Sequence, residues 1–256
     1  MGVVNATPDS FSDGGRLPDV PAAIAHGLRL REEGADILDV GGESTRPGAA
    51  AVSLDEECRR VIPVVAALAS HGCVVSVDTR KPEVMRAALD AGAVMINDVT
   101  ALQAPDAIDI VRASGAAACL MHMQGEPASM QHAPSYHDVV GEVRGFLEAR
   151  VEACVAAGVK REQLVIDPGF GFGKTLQHNL ALLKQLGRLT ALGLPVLVGL
   201  SRKSMLGTLT GRPVEEREFA GVAANLAAVA RGARLVRVHN VAAMRDALAI
   251  WNAVEE

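Results

Sequence analysis

The sequence has no CxxC pair, no block of like charges, no long apolar run and no complete phosphate-loop motif, and each absence removes a class of protein. Its four cysteines, Cys58, Cys73, Cys119 and Cys154, are widely spaced. They read as reduced core residues, not as a disulfide frame or a zinc site. No stretch approaches the roughly 20 apolar residues that a membrane span needs. The opening MGVVNATPDS has neither a basic start nor an apolar run, so a secretory signal is not expected there. A cytoplasmic protein with no membrane partner is the expectation. The Asn5-Ala6-Thr7 sequon then never meets the glycosylation machinery. Net charge is −5 and carries no basic stripe, which argues against nucleic acid as a partner.

What is present suits a globular enzyme. The 256 residues are 49% hydrophobic and 21% charged. A single α/β barrel needs roughly 250 residues. Short apolar runs, at Gly2–Asn5, Ile37–Val40, Val74–Val77, Val94–Ile96, Ala117–Met121, Leu164–Ile166, Val196–Val198 and Leu235–Val238, alternate with longer amphipathic segments. Those segments include Pro21–Glu33, Leu54–Ala69, Pro82–Ala91, His137–Ala157, Leu176–Leu186 and Glu215–Ala230, and glycine often ends them. Alternation of this kind implies right-handed crossovers and a parallel sheet. About eight strands favour closure into a (β/α)8 TIM barrel, with a doubly wound open sheet as the rival. No linker, composition break or repeat divides residues 1–256, so one domain is expected.

The informative feature is the polar group at the end of each apolar run: Asn5, Asp39, Asp78, Asn97, His122, Asp167, Ser201 and the pair Arg237/His239. Any one of these could be a turn residue or a helix cap. Together, in a parallel barrel, they collect on one rim, where barrel enzymes keep their sites. Arg237 and His239 are two apart and would share one side of a strand. With Arg202 and Lys203 they could form a cationic corner suited to phosphate oxygens, although His239 alone reads as a structural histidine. Asp78, Asn97 and Asp167 would offer two carboxylates and an amide, a set matched to a flat heterocycle with several N–H groups and a carbonyl. The same trio could also be a buried polar network.

Asp167-Pro168-Gly169-Phe170-Gly171-Phe172-Gly173-Lys174-Thr175 ends like a phosphate loop, but the leading glycine would fall on Pro168. GxGxxG fails as well, because Lys174 occupies the last glycine's place. The segment reads instead as a flexible loop with two exposed Phe rings beside a ligand. Two other loops, Thr7–Gly15 and Gly41–Gly48, are rich in Gly, Ser, Pro and charge and are candidates for lids.

Asn5-Ala6-Thr7-Pro8-Asp9-Ser10-Phe11-Ser12-Asp13-Gly14-Gly15 and Asp39-Val40-Gly41-Gly42-Glu43-Ser44-Thr45-Arg46-Pro47-Gly48 resemble the two long motifs of the dihydropteroate synthases. Shorter matches come in family order: Ser76-Val77-Asp78-Thr79, Ile96-Asn97-Asp98-Val99, Leu120-Met121-His122-Met123, Asp167 to Phe172, Ser201-Arg202-Lys203-Ser204 and Arg237-Val238-His239-Asn240. The resemblance covers nearly the whole chain. Members of that family usually carry a stretch ahead of the first strand, at the barrel end away from the chemistry, whereas this sequence opens almost on the strand.

The resemblance implies a reaction. The amine of p-aminobenzoate displaces pyrophosphate from 6-hydroxymethyl-7,8-dihydropterin pyrophosphate, with Mg2+ assisting the leaving group. It assigns Asp78, Asn97, Asp167 and Lys203 to the pterin, with Met121 beneath it. Asn5 becomes the Mg2+ ligand, and Arg237 and His239 the pyrophosphate clamp, with Arg237 also stacked on the pterin. Asp78, Asp167, Lys203 and Arg237 carry the catalytic roles. Ser204 meets the p-aminobenzoate carboxylate, and Phe11, Thr45, Arg46, Pro47 and Phe172 surround that substrate. A homodimer is implied too. The alternatives are a pterin-binding methyltransferase and a non-catalytic pterin-binding paralogue.

Overall fold

In a computed structural model the described residues are 1–7, 20–44, 49, 51–127 and 129–255. The strands are β1 (Gly2–Asn5), β2 (Leu38–Gly41), β3 (Val75–Asp78), β4 (Met95–Asp98), β5 (Ala117–Met121), β6 (Leu164–Asp167), β7 (Leu197–Val198) and β8 (Leu235–Val236). The helices are α1 (Val20–Glu32), α2 (Leu54–Ser70), α3 (Pro82–Asp90), α4 (Ala107–Ser114), α5 (Val139–Ala156), α6 (Leu176–Lys184), α7 (Gly187–Thr190), α8 (Ser204–Thr210), α9 (Glu218–Val229) and α10 (Val241–Glu255).

β1 to β6 form one parallel sheet in chain order, and β7 pairs in parallel with β8. Two parallel bridges, Ile166 to Val196 and Gly2 to Val238, join the two pieces into a ring. Backbone bonds reinforce both joints: Ile166 N donates to Pro195 O at 3.0 Å, and Val3 N donates to Val238 O at 3.0 Å. The expected (β/α)8 barrel is therefore what the chain builds, and the open-sheet alternative is excluded by that second joint.

β1 and β5 coincide with the apolar runs of the sequence. β2, β3 and β4 each start one residue later and extend beyond the apolar run, because Gly41, Asp78 and Asn97 are still in register with their neighbours. α4, α7, α8 and α10 lie outside the helical segments named from sequence. α10 nevertheless carries helical spacing, burying Val241 and Met244 with Leu248 packed alongside.

Strand alternation sorts the side chains into two cores. Val4, Leu38, Val40, Val75, Val77, Ile96, Leu120 and Ile166 point outward and pack under the helices. Met95, Cys119, Val165 and Leu197 point inward as a separate apolar cluster, flanked by Met1, Ala117 and Leu235. This inner cluster is a floor. Two residues further along, toward the C-terminal ends, the inward positions are Asn97 on β4, Met121 on β5 and Asp167 on β6, with Asp78 beside Asn97 on β3.

Candidate active site

Register decides which polar residues meet. Asn5 lies beside Gly41, Gly41 beside Asp78, and Asp78 beside Asn97. Met121 lies beside Asp167. Neighbours in register share a face, so these groups line the barrel interior above the apolar floor.

Asp39 belongs to this set although the sequence motifs do not mark it as a binding residue. It is fully buried on β2. Its Oδ2 accepts from Arg237 Nε at 2.6 Å and from Asn97 Nδ2 at 3.0 Å. Its Oδ1 has no hydrogen-bond partner among the described residues. A signal does exist in the sequence: Asp39 is two residues before Gly41, so alternation turns its carboxylate inward. Arg237 completes the link by donating from Nη2 to Asp78 Oδ2 at 2.9 Å. A guanidinium thus bridges two strand carboxylates, with both donor edges of its fork in use.

Burial pushes Asp78 up to about 7, against the pull of Arg237. Burial likewise raises Asp167 to about 6, while the Gly169 N–H, Lys203, Lys174 and Arg237 work the other way. Gly169 N donates to Asp167 Oδ1 at 2.7 Å. Burial lowers Lys203 to about 8, opposed chiefly by Asp167. Desolvation works against the Arg237 charge, but Asp39 and Asp78 overcome it and raise the guanidinium above its ordinary value. The interior therefore holds carboxyls near their titration point at neutral pH beside charged cations, a pattern found at functional sites.

Arg237 and His239 have different protein partners. β8 ends at Val236, and Arg237 turns to the carboxylates. His239 is held separately, its Nδ1 3.0 Å from Ser201 Oγ, with its backbone N donating to the same oxygen at 3.4 Å. Ser204 is exposed at the first position of α8, directly after Lys203. Lys203 Nζ sits over the Phe172 ring, 4.2 Å from its centre. Met121 is buried beside Asp167. Phe11, Thr45, Arg46 and Pro47 lie outside the described residues.

Two sequence expectations need correction. The loop after β6 does not carry two exposed rings: Phe170 is 1% exposed and joins the outer core. Phe172 is the ring that faces the interior groups. His122 does not join the rim, because it is one residue past Met121 and so points to the other side of the strand. Its ring packs edge-on against Phe146 with centroids 5.0 Å apart, and burial, with Lys174 nearby, lowers its pKa to about 3.

A second network, unforeseen from sequence, holds the root of the loop after β2. Glu57 is buried on α2 and accepts from Thr79 Oγ1 at 2.5 Å and from Lys81 Nζ. Lys81 also pairs with Glu43, which Arg80 meets at 3.2 Å. These contacts keep Glu43 below the usual carboxylate range in spite of its burial.

Among the described residues no three His, Cys, Asp or Glu side chains are grouped to hold a metal ion. None of the described helices is long and apolar enough to cross a membrane.

The chain matches the family described as pterin binding enzyme over residues 1–239. The dihydropteroate synthase of Neisseria meningitidis serogroup C is 52% identical over 99% of this chain and 92% of its own length. The Xanthomonas albilineans dihydropteroate synthase solved with 4-aminobenzoic acid is 57% identical, with a TM-score of 0.94 over 100% of this chain and 92% of that one. The same enzyme in complex with 7,8-dihydropteroate superposes with a TM-score of 0.90 at 54% identity, again over 100% of this chain and 92% of that one. A barrel that closes on itself, a charged interior at the C-terminal strand ends, and likeness running through nearly the whole chain agree: this protein belongs to the pterin-binding enzymes and, within them, to the dihydropteroate synthases.

Proposed function

We propose that the interior above the apolar floor binds the dihydropterin and that the chain joins it to p-aminobenzoate with release of pyrophosphate. The observation that carries the reading is the inward layer of Asp78, Asn97 and Asp167 beside Lys203 and Arg237. Carboxylates accept from amino and ring N–H groups, an amide can donate and accept, and Lys203 can donate to a carbonyl or ring nitrogen. Met121 would support the ring from below, and Arg237 would stack on its face.

An aromatic amine is neutral at pH 7 and needs no base before it attacks. The difficult part is loss of pyrophosphate from the pterin methylene, which places positive charge on the pterin and negative charge on the departing group. Fixed charges matched to both ends are usually the largest catalytic term. Asp78 and Asp167 would oppose the pterin's positive charge. Arg237 and His239 would meet the leaving oxygens, with the Arg237 fork already oriented by Asp39 and Asp78.

The donor set suits Mg2+ in one particular way. Asn5 supplies a hard amide oxygen at the rim, and the described residues build no carboxylate cage around it. Mg2+ is commonly held by one or two protein oxygens together with water and substrate phosphate. Bound there, it would neutralise charge on the departing pyrophosphate. p-Aminobenzoate would lie against Phe172 with its carboxylate toward Ser204, and with Phe11, Thr45, Arg46 and Pro47 around it. We place the reaction in the cytoplasm. A homodimer could draw on the exposed apolar side chains Leu209 on α8, Phe219 on α9 and Ile250 and Val254 on α10.

A pyrophosphate-release assay, omitting each substrate in turn, tests the reading. Release is expected only when dihydropterin pyrophosphate and p-aminobenzoate are both present. No release with both, or release independent of p-aminobenzoate, would overturn it.

A further inference from the structure

Lys174 is the residue of the failed phosphate-loop motif that the reaction leaves unused, and it is 3% exposed. Its ammonium is spent largely on the protein's own backbone. Nζ donates to Gly169 O at 3.0 Å, to Phe172 O at 2.9 Å and to His122 O at 3.3 Å, and it meets His122 Nδ1 at 2.9 Å. An ammonium has three protons, so these four contacts share them. All four acceptors are uncharged. Two lie on the loop after β6, and two belong to His122 at the end of β5.

The chain is built to fit round this point. Gly169 (φ +68°) and Gly173 (φ +61°) take left-handed conformations, and a Cβ on either would strike a carbonyl oxygen, that of His122 or of Gln124. The loop after β6 therefore lies flat on the segment after β5. Tyr136 Oη closes the outer side by donating to Gly173 O at 2.8 Å, and Gly171 N donates to Asn179 Oδ1 at 2.8 Å. Inward, the loop presents Phe172, under the Lys203 ammonium, and the Gly169 N–H that holds Asp167.

We propose that Lys174 is a positioning residue for the transferase reaction: it knots the loop after β6 onto the end of β5 and so sets where Phe172 and Asp167 stand relative to Lys203. This rests on reading Asp167 and Lys203 as pterin binders. The position carries charge as well as shape. Asp167 is faced by Lys174 on its own loop, by Lys203 after β7, by Arg237 after β8 and by the Cys119 thiol on β5. Burial lowers Lys174 to about 7 in spite of Asp167, so it still carries its charge through the range in which Asp167, raised to about 6, titrates, and removing that cation should make the carboxyl harder to ionise.

The test compares Lys174→Met and Lys174→Arg with wild-type enzyme. It reads kcat, the KM of each substrate, calorimetric pterin affinity, melting temperature and the acid limb of kcat/KM. In Lys174→Met, pterin affinity should weaken by about tenfold and kcat/KM should fall by roughly ten- to a hundredfold. Its acid limb should move up by roughly half a pH unit or more. Lys174→Arg should keep the wild-type acid limb and lose part of kcat/KM, because its planar fork cannot reach the same acceptors. If Lys174→Met only melts earlier, with kcat/KM and acid limb unchanged where it is folded, the lysine merely holds the fold and the proposal fails. Should Lys174→Met not fold, Lys174→Arg decides alone, and constants within about twofold of wild type would overturn the proposal. A wild-type enzyme that released no pyrophosphate would instead remove the functional reading on which this one stands.

Discussion

Asp39→Asn isolates the bridge that aims Arg237. The substitution keeps the shape of the side chain and removes its charge. In the native protein one oxygen, Oδ2, accepts both Arg237 Nε at 2.6 Å and Asn97 Nδ2 at 3.0 Å. The introduced amide could place its oxygen where Oδ2 stood and still accept both donors, with its NH2 in the partnerless Oδ1 place, so what is lost is the negative charge opposite the guanidinium. Breaking a buried pair can cost about 3–5 kcal/mol, yet Arg237 is 22% exposed and keeps Asp78, so a loss of about 2–3 kcal/mol is expected. For a domain of this size that corresponds to a melting temperature lower by roughly 4–10 °C. With the guanidinium less firmly held, kcat/KM should fall by about ten- to a hundredfold. Thermal melting and pyrophosphate release measure the two effects separately. A cycle with Arg237→Lys tests whether they share a cause: the double variant should lose much less than the sum of the singles. Additive losses, or an Asp39→Asn protein with unchanged melting and turnover, would refute the idea that Asp39 orients Arg237.

The same geometry sets three further expectations. The rate profile of kcat/KM against pH should be bell-shaped. Asp167 and Asp78, raised to about 6 and about 7, are protonated below those values and gain their charge as pH rises through them. The other limb should fall above about 8 as Lys203 loses its proton, and a profile flat from about pH 5 to 9 would contradict both assignments. Arg237→Ala should weaken dihydropterin pyrophosphate far more than the bare hydroxymethyl-dihydropterin, and equal losses by calorimetry would show that Arg237 does not meet the phosphates. Gly169→Ala should melt several degrees lower and lose pterin affinity, because its φ of +68° and the His122 carbonyl leave no room for a methyl group; native melting and affinity would contradict that account.

The barrel was legible because its strands are short apolar runs that end in polar groups, and most of the residues that line its interior were legible because they are those groups. The features that escaped the sequence depend on parity and on tertiary contact. Asp39 stood among the polar strand ends, but its part as shared acceptor for Arg237 and Asn97 depends on strands far apart in the chain. His122 looked like its neighbours on the rim, and one residue of offset sends it the other way. Phe170 and Phe172 are both flanked by glycine, so nothing local distinguishes the ring that joins the outer core from the one that meets Lys203. Lys174 could not be understood from spacing at all, since its acceptors lie on two separate loops. The pairing of Lys81 with Glu57 and Glu43 likewise joins segments that sequence order keeps apart.

The joint between β1 and β8 bears on how the chain reaches this structure. The Met1 amino group donates to Val236 O, a contact between residues 235 apart, and the Gly2–Val238 bridge lies beside it. During synthesis β1 can pair with β2 early, but its other edge must wait until almost the whole chain has left the ribosome. Until then the nascent sheet carries an open edge, the kind of surface on which strands of separate molecules pair. Long-range closure of this type is slow relative to local pairing. Ring closure is thus the step at which refolding yield should depend most on protein concentration, and β1, although made before β2 to β8, is among the last to be fully bonded.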